Sequence, residues 1–261
     1  MLTASEEWKR VIDAGTGYFD LEPSVYHDLL EKTKKYNLLF RTLCRYAFPS
    51  SKVLEAGCGW AFPSFALAER GVSVVALDIS EKLIEGLRKI QGEMSGSVRS
   101  HLHLVVGDIF RLSELRQTFD VVYNDGTYEH FLMPDERKEI LRNIWDRLSS
   151  KGKYVVAVPN LRNLFFHWMV EPKMPSMQSF TFETLTDELE VGGFRVIERG
   201  YHFVDAGFEQ WLRAKWMAAP VWWANGIFPA LPLLFQKRMA AHIYCVAEKV
   251  PKLGPAHDTR D

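Results

Sequence analysis

One stretch, Lys52 to Ser80, constrains the fold more than any other part of this 261-residue chain. It reads KVLEAGCGWAFPSFALAERGVSVVALDIS, which predicts a strand, a glycine turn, a helix and a second strand that ends at Asp78. The apolar run 72–77 is typical of a strand buried on both faces of a parallel sheet. Because ligands lie outside the carboxyl ends of such strands, the turn and Asp78 should flank one site. A carboxylate there suits a vicinal diol, such as a ribose.

The glycine turn also distinguishes between kinds of nucleotide site. A dinucleotide site typically carries G-x-G-x-x-G, and here Phe62 stands at the third glycine position, where its ring would obstruct a pyrophosphate. The local pattern is instead E-x-G-x-G-x-A, which runs from Glu55 through Gly57 and Gly59 to Ala61. Taken alone, this pattern leaves open a tight turn in an unrelated α/β protein.

Strands and helices continue to alternate after Asp78. Five further strands are predicted, at 102–106, 119–124, 152–158, 194–198 and 241–247. The last two are not separated by a helix of ordinary composition, which permits antiparallel pairing between them. The sequence therefore predicts an α/β fold, a three-layer Rossmann-like sandwich around a seven-stranded, mostly parallel sheet with an antiparallel last strand.

Three segments flank or interrupt this core. Residues 1–50 are interpreted as an N-terminal helical lid, with one long amphipathic helix from Ser24 to just before Pro49. Packing of this helix on the edge of the sheet is the other interpretation. The main domain is assigned to 51–250, with an apolar, aromatic insertion at 203–240, and 251–261 is interpreted as a polar tail.

Composition excludes several classes of function. The formal net charge of −1 provides no general attraction to nucleic acid. The three cysteines are far apart, and no Cys/His cluster has the spacing of a zinc site, so neither disulfides nor a metal site is expected. The first ten residues lack the apolar core of a signal peptide, which favours a cytoplasmic location.

Several short motifs then occur in a characteristic order along the chain. They are Glu55-x-Gly57-x-Gly59, Asp78, Gly107-Asp108, Phe119-Asp120-Val121-Val122, Glu129-His130, Gly152 to Pro159-Asn160, and Phe180-Thr181 to Gly193-Phe194. With these motifs, the chain from about 52 to 249 resembles the class I S-adenosylmethionine-dependent methyltransferases. It is most similar to the small-molecule group that includes the quinone and sterol methyltransferases.

The resemblance implies S-adenosylmethionine as the cofactor, and it implies a role for each residue of the first motif. The backbone of Gly57, Cys58 and Gly59 would face the methionine portion. Glu55 would lie near the amino group of that portion, and Asp78 would accept hydrogen bonds from both ribose hydroxyls.

The later motifs carry the implied adenine and methyl-transfer contacts. Ile79 would lie on one face of the adenine, while Asp108 and the Ile109 backbone would bind its edge. The Asn124 backbone would lie beside the sulfonium. His130, just beyond the fourth strand, is the candidate general base for a hydroxyl acceptor, because a histidine has a pKa near neutrality. A structural role for His130 stays open at this point.

Two other histidines, His167 and His202, are weaker candidates, because each is expected in a loop or at the surface.

The insertion is the unusual part of the sequence. Residues 216–236 carry no charge, and the length meets the minimum for a membrane span, but Pro220, Pro229 and Pro232 break any continuous helix. Two interpretations remain: an apolar cap over the acceptor pocket, or contact of 208–238 with a membrane surface. Both favour a small, lipophilic acceptor, such as a quinone or a lipid.

The sequence leaves the methylated atom open, whether oxygen, nitrogen or carbon. It also leaves open a different kind of function, a non-catalytic subunit that binds S-adenosylmethionine or S-adenosylhomocysteine in support of a partner enzyme.

Overall fold

The computed structural model describes residues 9–10, 22–163, 177–202 and 226–250. The sheet strands are β1 Lys52–Ala56, β2 Ser73–Asp78, β3 Leu102–Val106, β4 Phe119–Asp125, β5 Leu148–Pro159, β6 Phe194–His202 and β7 His242–Lys249. The α-helices are α1 Pro23–Tyr36, α2 Leu38–Tyr46, α3 Phe62–Glu69, α4 Glu81–Glu93, α5 Gly96–His101, α6 Pro134–Arg147, α7 Phe182–Val191 and α8 Leu233–Met239. Short 3-10 turns lie at Ile109–Leu115, Tyr128–His130 and Phe228–Ala230.

The seven strands form one sheet in the order β3-β2-β1-β4-β5-β7-β6. Strands β1 to β5 pair in parallel, whereas β7 pairs antiparallel to both of its neighbours, β5 and β6. The predicted α/β fold, with an antiparallel last strand, is therefore confirmed. The carboxyl ends of β1, β2, β3 and β4 meet at one edge of the sheet, called the carboxyl edge below.

Helices cover both faces of the sheet, which gives the predicted three layers. On one face, the buried side chains of α1 to α4 pack against β1, β2 and β4 in a single apolar cluster. On the other, α6 and α7 supply Ile140, Leu141, Ile144, Leu185 and Leu189 to a second cluster. The strands between these clusters are apolar on both sides, as parallel strands covered by helices must be.

The long helix predicted from Ser24 is in fact two helices. Asn37 leaves the helical conformation, and its side chain accepts a hydrogen bond from the Phe40 N–H at 2.8 Å, which caps α2. An asparagine competes for backbone hydrogen bonds in this way, so the amphipathic pattern continues although the helix does not. Tyr26 and Leu30 of α1 and Leu39 of α2 are buried in the apolar cluster that covers one face of the sheet.

Other boundaries also differ from those expected. The polar stretch between α4 and β3 contains a further helix, α5, whose N-cap is Ser95. Strand β5 begins at Leu148, before Gly152, and β6 extends to His202. Most residues in these additions are polar, so no clear apolar periodicity marks them in the sequence.

Several predictions fall outside the described residues: most of the segment before α1, residues 203–225 of the insertion, His167 and the tail at 251–261. Within the described ranges, no helix combines the length and the hydropathy that a membrane span requires.

Candidate cofactor and active site

The glycine turn after β1 adopts a backbone that only small residues accept easily. Gly57 and Gly59 have φ angles of 78° and 47°, and Ala61, at the start of α3, has a φ of 54°. A left-handed alanine is uncommon, and it explains why the third small position of this pattern is often glycine. The Gly57 and Cys58 N–H groups both donate to the Leu77 carbonyl, at 2.8 and 2.9 Å, so the turn is fixed to the end of β2.

Asp78, the last residue of β2, joins the turn to the next loop. Its buried carboxylate accepts the Gly59 N–H at 3.0 Å on one oxygen and the Ser80 N–H at 3.0 Å on the other. Each carboxylate oxygen has two lone pairs, and an ionised carboxylate only accepts hydrogen bonds. An acid at this position is the type of group that binds the hydroxyls of a diol.

Glu55 lies beneath the turn, buried among hydroxyl groups. Ser64 Oγ of α3 donates to Glu55 Oε2 at 2.6 Å, and the Tyr123 hydroxyl of β4 lies 2.9 Å from the same Ser64 oxygen. Burial raises the pKa of Glu55 to about 8, although the hydrogen bonds from Ser64 and Tyr123 act in the opposite direction. The Glu55 carboxyl is thus largely protonated at neutral pH.

The end of β3 contributes Asp108, whose side chain caps the following 3-10 turn. Asp108 Oδ1 accepts the Phe110 N–H at 3.0 Å, so the acid has the structural role that a capping residue performs. The preceding Gly107 donates its N–H to the Asp78 carbonyl at 2.9 Å. Asp108 and the buried Ile109 are therefore positioned directly beside the end of β2.

The end of β4 lies against the glycine turn. Asn124 is buried and its Oδ1 accepts from the Tyr154 hydroxyl at 3.2 Å, while Thr127 Oγ1 donates to the Gly57 carbonyl at 3.0 Å. His130 closes the 3-10 turn after β4, and its N–H donates to the Thr127 carbonyl at 3.2 Å. The hydrogen bond from Thr127 to the Gly57 carbonyl therefore joins the loop that carries His130 to the glycine turn.

The structure thus collects the candidate residues at the carboxyl edge, in the loops that follow four adjacent strands. Cys58 is buried within the turn, and Ile79 is half-buried next to Asp78. Sequence reasoning missed three contributors, namely Ser64, Tyr123 and Thr127. Their contacts with Glu55 and Gly57 join residues far apart in the chain, and no local spacing signals them.

The N-terminal helix α1 also contacts this site. The buried Tyr26 hydroxyl donates to the Trp60 carbonyl at 2.7 Å, and its ring packs on Phe62 and Phe65, with centroids 4.7 and 5.1 Å away. Helix α1 therefore supports the glycine turn from the side of α3.

His202 does not lie in a loop or at the surface, so that expectation is wrong. It is the last residue of β6, fully buried, and it pairs with His242 of β7, the two rings stacking at 6.2 Å. Strand β6 is longer than its apolar pattern indicates, which carries His202 into the sheet.

The raised pKa of Glu55 predicts how stability should vary with pH. Since the carboxyl of an unfolded chain has a pKa near 4.5, the unfolded chain releases this proton first. Below about pH 4.5, the protonated Glu55 contributes fully to the free energy of unfolding. This contribution is lost as the pH rises to about 8, and the total loss is about a few kcal/mol.

Urea denaturation between these pH values should show the effect when the wild type is compared with Glu55→Gln, which has no proton to lose. The difference in the free energy of unfolding, wild type minus variant, should decrease as the pH rises. Parallel profiles for the two proteins would contradict a protonated Glu55.

Known proteins resemble both the sequence and the fold. A family model described as a methyltransferase domain matches residues 53–152. The eEF1A lysine and N-terminal methyltransferase of Mus musculus is 34% identical over 119 residues, which are 45% of this chain and 16% of that protein. The mitochondrial ubiquinone biosynthesis O-methyltransferase of Schizosaccharomyces pombe is 29% identical over 113 residues, which are 43% of this chain and 39% of that protein.

The chain thus spans well under two thirds of the length of these curated relatives. Among solved structures, magnesium protoporphyrin IX methyltransferase from Synechocystis PCC 6803, crystallised with bound S-adenosylmethionine, superposes with a TM-score of 0.60. The superposition covers 95% of this chain and 98% of the other at 13% sequence identity. A likeness at this identity establishes a common fold.

Proposed function

Residues 53–152 form a class I S-adenosylmethionine-dependent methyltransferase domain, and from this premise we propose that the chain transfers a methyl group from S-adenosylmethionine to a small, lipophilic acceptor. The observation that carries the proposal is the Asp78 carboxylate, which is held by the Gly59 and Ser80 N–H groups at the carboxyl edge. This acid is buried, its orientation is fixed by two backbone hydrogen bonds, and a carboxylate would accept hydrogen bonds from a ribose diol.

The other cofactor contacts are proposed from the family resemblance, and the position of these residues at the carboxyl edge supports them. The Gly57, Cys58 and Gly59 backbone would hold the methionine portion, and Glu55 beneath it would attract the amino group. That contact favours the ionised carboxylate, because an ammonium nearby lowers the pKa of an acid.

The adenine end of the cofactor would lie between Ile79 and the residues after β3. Ile79 offers an apolar side chain for one face of the base, and the Ile109 N–H is a donor for a ring nitrogen. The Asp108 carboxylate, which also accepts from the Phe110 N–H, would accept from the exocyclic amino group. The Asn124 backbone would then lie beside the sulfur.

The lipophilic acceptor is supported by the apolar insertion before β7 and by the name of one relative. The relative from Schizosaccharomyces pombe is named for ubiquinone biosynthesis, whereas the relative from Mus musculus is named for protein acceptors. The uncharged run at 216–236 favours the first kind of acceptor for this chain, because a cluster of apolar and aromatic side chains suits a hydrophobic ligand.

The N-terminal segment 1–50 is proposed to cover the bound cofactor. Tyr26 supports this role, since its hydrogen bond to the Trp60 carbonyl connects α1 to the glycine turn. The start of α1 therefore lies beside the site that the N-terminal segment is proposed to close.

Bound S-adenosylmethionine supplies a methyl group that is already activated on a positively charged sulfur. The protein must align the acceptor with that methyl and, for a hydroxyl acceptor, remove its proton. His130 is proposed to accept this proton as the acceptor oxygen bonds to the methyl carbon and the carbon–sulfur bond breaks.

Two measurements test the proposed function. Calorimetry with S-adenosylmethionine and with NAD should detect binding of the first and not the second. A methyl-transfer screen with quinol, lipid and small polar acceptors should then yield a product heavier by one methylene unit from a lipophilic acceptor. Binding of NAD alone would refute the cofactor assignment, and a product from polar acceptors alone would refute the acceptor class.

Replacing His130 by alanine should lower kcat at least about tenfold with a hydroxyl acceptor, while cofactor affinity stays within about twofold of wild type. The expected split arises because the imidazole would act on the acceptor rather than on the cofactor. Initial rates and calorimetry measure the two effects. His103→Ala, an exposed histidine on the edge strand β3, is the matched control and should leave kcat unchanged. Full activity of His130→Ala would exclude the residue from the mechanism.

A further inference from the structure

Helix α8 exposes apolar side chains that a folded protein ordinarily buries. Leu233 and Leu234 are 73% and 71% exposed, Phe235 is 46% exposed, and Ile227, just before the helix, is 44% exposed. No residue of α8 itself is buried. Single exposed leucines are ordinary, but four large apolar side chains within nine positions form a patch of the kind that marks an interaction site.

The helix is nevertheless firmly attached to the sheet. Two buried asparagines after β5 donate their amide Nδ2 groups to the carbonyls at its end: Asn160 to Lys237 and Ala240, both at 3.0 Å, and Asn163 to Met239 and Ala240, at 3.2 and 2.7 Å. These bonds satisfy carbonyls that a helix end otherwise leaves without partners. The exposed patch is therefore held in a defined orientation by the core of the protein.

Positive charge lies beside this patch. Lys237 and Arg238 occupy the last turn of α8, and Arg162 lies in the loop that carries the two asparagines. Glu183 forms an ion pair with Arg162 at 3.4 Å. Among these four described charged residues, three are positive, and Arg238 is exposed.

An anionic bilayer fits this combination better than a protein partner does. Stable protein interfaces bring together roughly 20–30 residues on each side, far more than the four apolar side chains exposed here. Interfacial helices instead present a few bulky apolar residues to the acyl boundary and lysine or arginine to the headgroups. The uncharged run at 216–236, directly before Lys237, is consistent with such an environment.

We propose that α8 is a peripheral membrane anchor, in which Ile227, Leu233, Leu234 and Phe235 enter the surface of an anionic phospholipid bilayer while Lys237 and Arg238 contact headgroup phosphates. Helix α8 directly precedes β7, and the start of β7 pairs with the carboxyl end of β5. Strand β7 lies two strands from β4, a separation of roughly 10 Å, so α8 precedes β7 at the edge of the sheet that also carries the His130 loop.

The position of α8 also indicates how an acceptor would reach the site, an inference that rests on the proposed function. A protein anchored through α8 presents the carboxyl edge of its sheet, with the acceptor side of the site, towards the bilayer. A lipophilic acceptor would then reach the site from the membrane without crossing water.

Vesicle co-sedimentation of the full-length protein tests the anchor. The wild type should pellet with vesicles of phosphatidylcholine containing about 30 mol % phosphatidylserine, and more weakly with phosphatidylcholine alone. Leu234→Glu should lower the bound fraction at least about tenfold, because it places a charge in the apolar patch. The matched control is Val191→Glu, an equally exposed apolar position, at 76%, which ends α7 at the opposite edge of the sheet and should leave binding unchanged.

A second variant separates the apolar from the electrostatic contribution to vesicle binding. Lys237→Glu combined with Arg238→Glu should abolish the preference for phosphatidylserine and the weakening of binding by added salt. Circular dichroism should show that all variants remain folded.

Three outcomes would overturn the proposal: no pelleting of the wild type with either vesicle, equal binding by Leu234→Glu, or equal loss in Val191→Glu. A concentration-dependent dimer that Leu234→Glu dissociates, with no vesicle binding, would assign the patch to a second copy of the chain. Calorimetry with S-adenosylmethionine is independent of these readouts. Failure of the anchor is therefore distinguishable from failure of the proposed function.

Discussion

Replacing Gly57 by alanine is expected to weaken S-adenosylmethionine binding by about 100-fold or more, since the strain falls on the turn that would hold the methionine portion. The φ of 78° is unfavourable for any residue with a Cβ. An added Cβ would also lie only 2.5 Å from both Thr127 Oγ1 and Thr127 Cγ2, well inside van der Waals contact. The turn and the loop after β4 must therefore separate.

Calorimetry measures the loss, and two further variants make it specific. Gly92→Ala, in α4, introduces a Cβ that meets nothing within 4 Å and should leave cofactor affinity unchanged. Combining Gly57→Ala with Thr127→Ala removes two of the three closest contacts and should restore part of the affinity. Wild-type affinity in Gly57→Ala would show that the turn does not bind the cofactor.

Replacing Arg137 by leucine is expected to lower the free energy of unfolding by about 3 kcal/mol, because the change removes one partner of a largely buried ion pair. The Arg137 side chain is 4% exposed and donates from Nε and Nη2 to the Glu188 carboxylate of α7, with a shortest distance of 2.7 Å. Its Nη1 donates to the carbonyls of Phe131 and Leu132 and to Gln178 Oε1.

The substitution would leave these acceptors without their donor, in a region that excludes most water. Chemical denaturation provides the measurement. The matched control is Arg142→Leu in the same helix, whose side chain is 67% exposed and lies 3.9 Å from Glu139, and which should change stability by less than about 0.5 kcal/mol. Similar losses in both variants would show that the Arg137 cluster contributes no more than a surface pair.

The elements predicted correctly are those with local signals. The glycine turn and Asp78 at the end of β2 are specified by residues a few positions apart, so their spacing is sufficient. The antiparallel last strand followed from the missing helix crossover. The order in which the chain supplies these pieces is that of a methyltransferase domain, which the match to 53–152 supports.

The features that sequence reasoning missed depend on residues distant in the chain. Ser64 contacts Glu55 and Tyr123 only because α3 packs on β1 and β4. Arg137 and Glu188 meet across two helices. Asn37 divides the first helix although the apolar periodicity continues, because a capping hydrogen bond leaves no trace in hydrophobic spacing.

The pKa of Glu55 has a consequence for cofactor binding. A carboxyl buried among hydroxyl groups is largely neutral near pH 7, so the fold avoids the cost of an isolated buried anion. Under the proposed function, an ammonium group beside Glu55 would favour the ionised form, and the carboxyl would release its proton. Binding would then exchange one cation for another, because one proton leaves Glu55 as one ammonium group arrives.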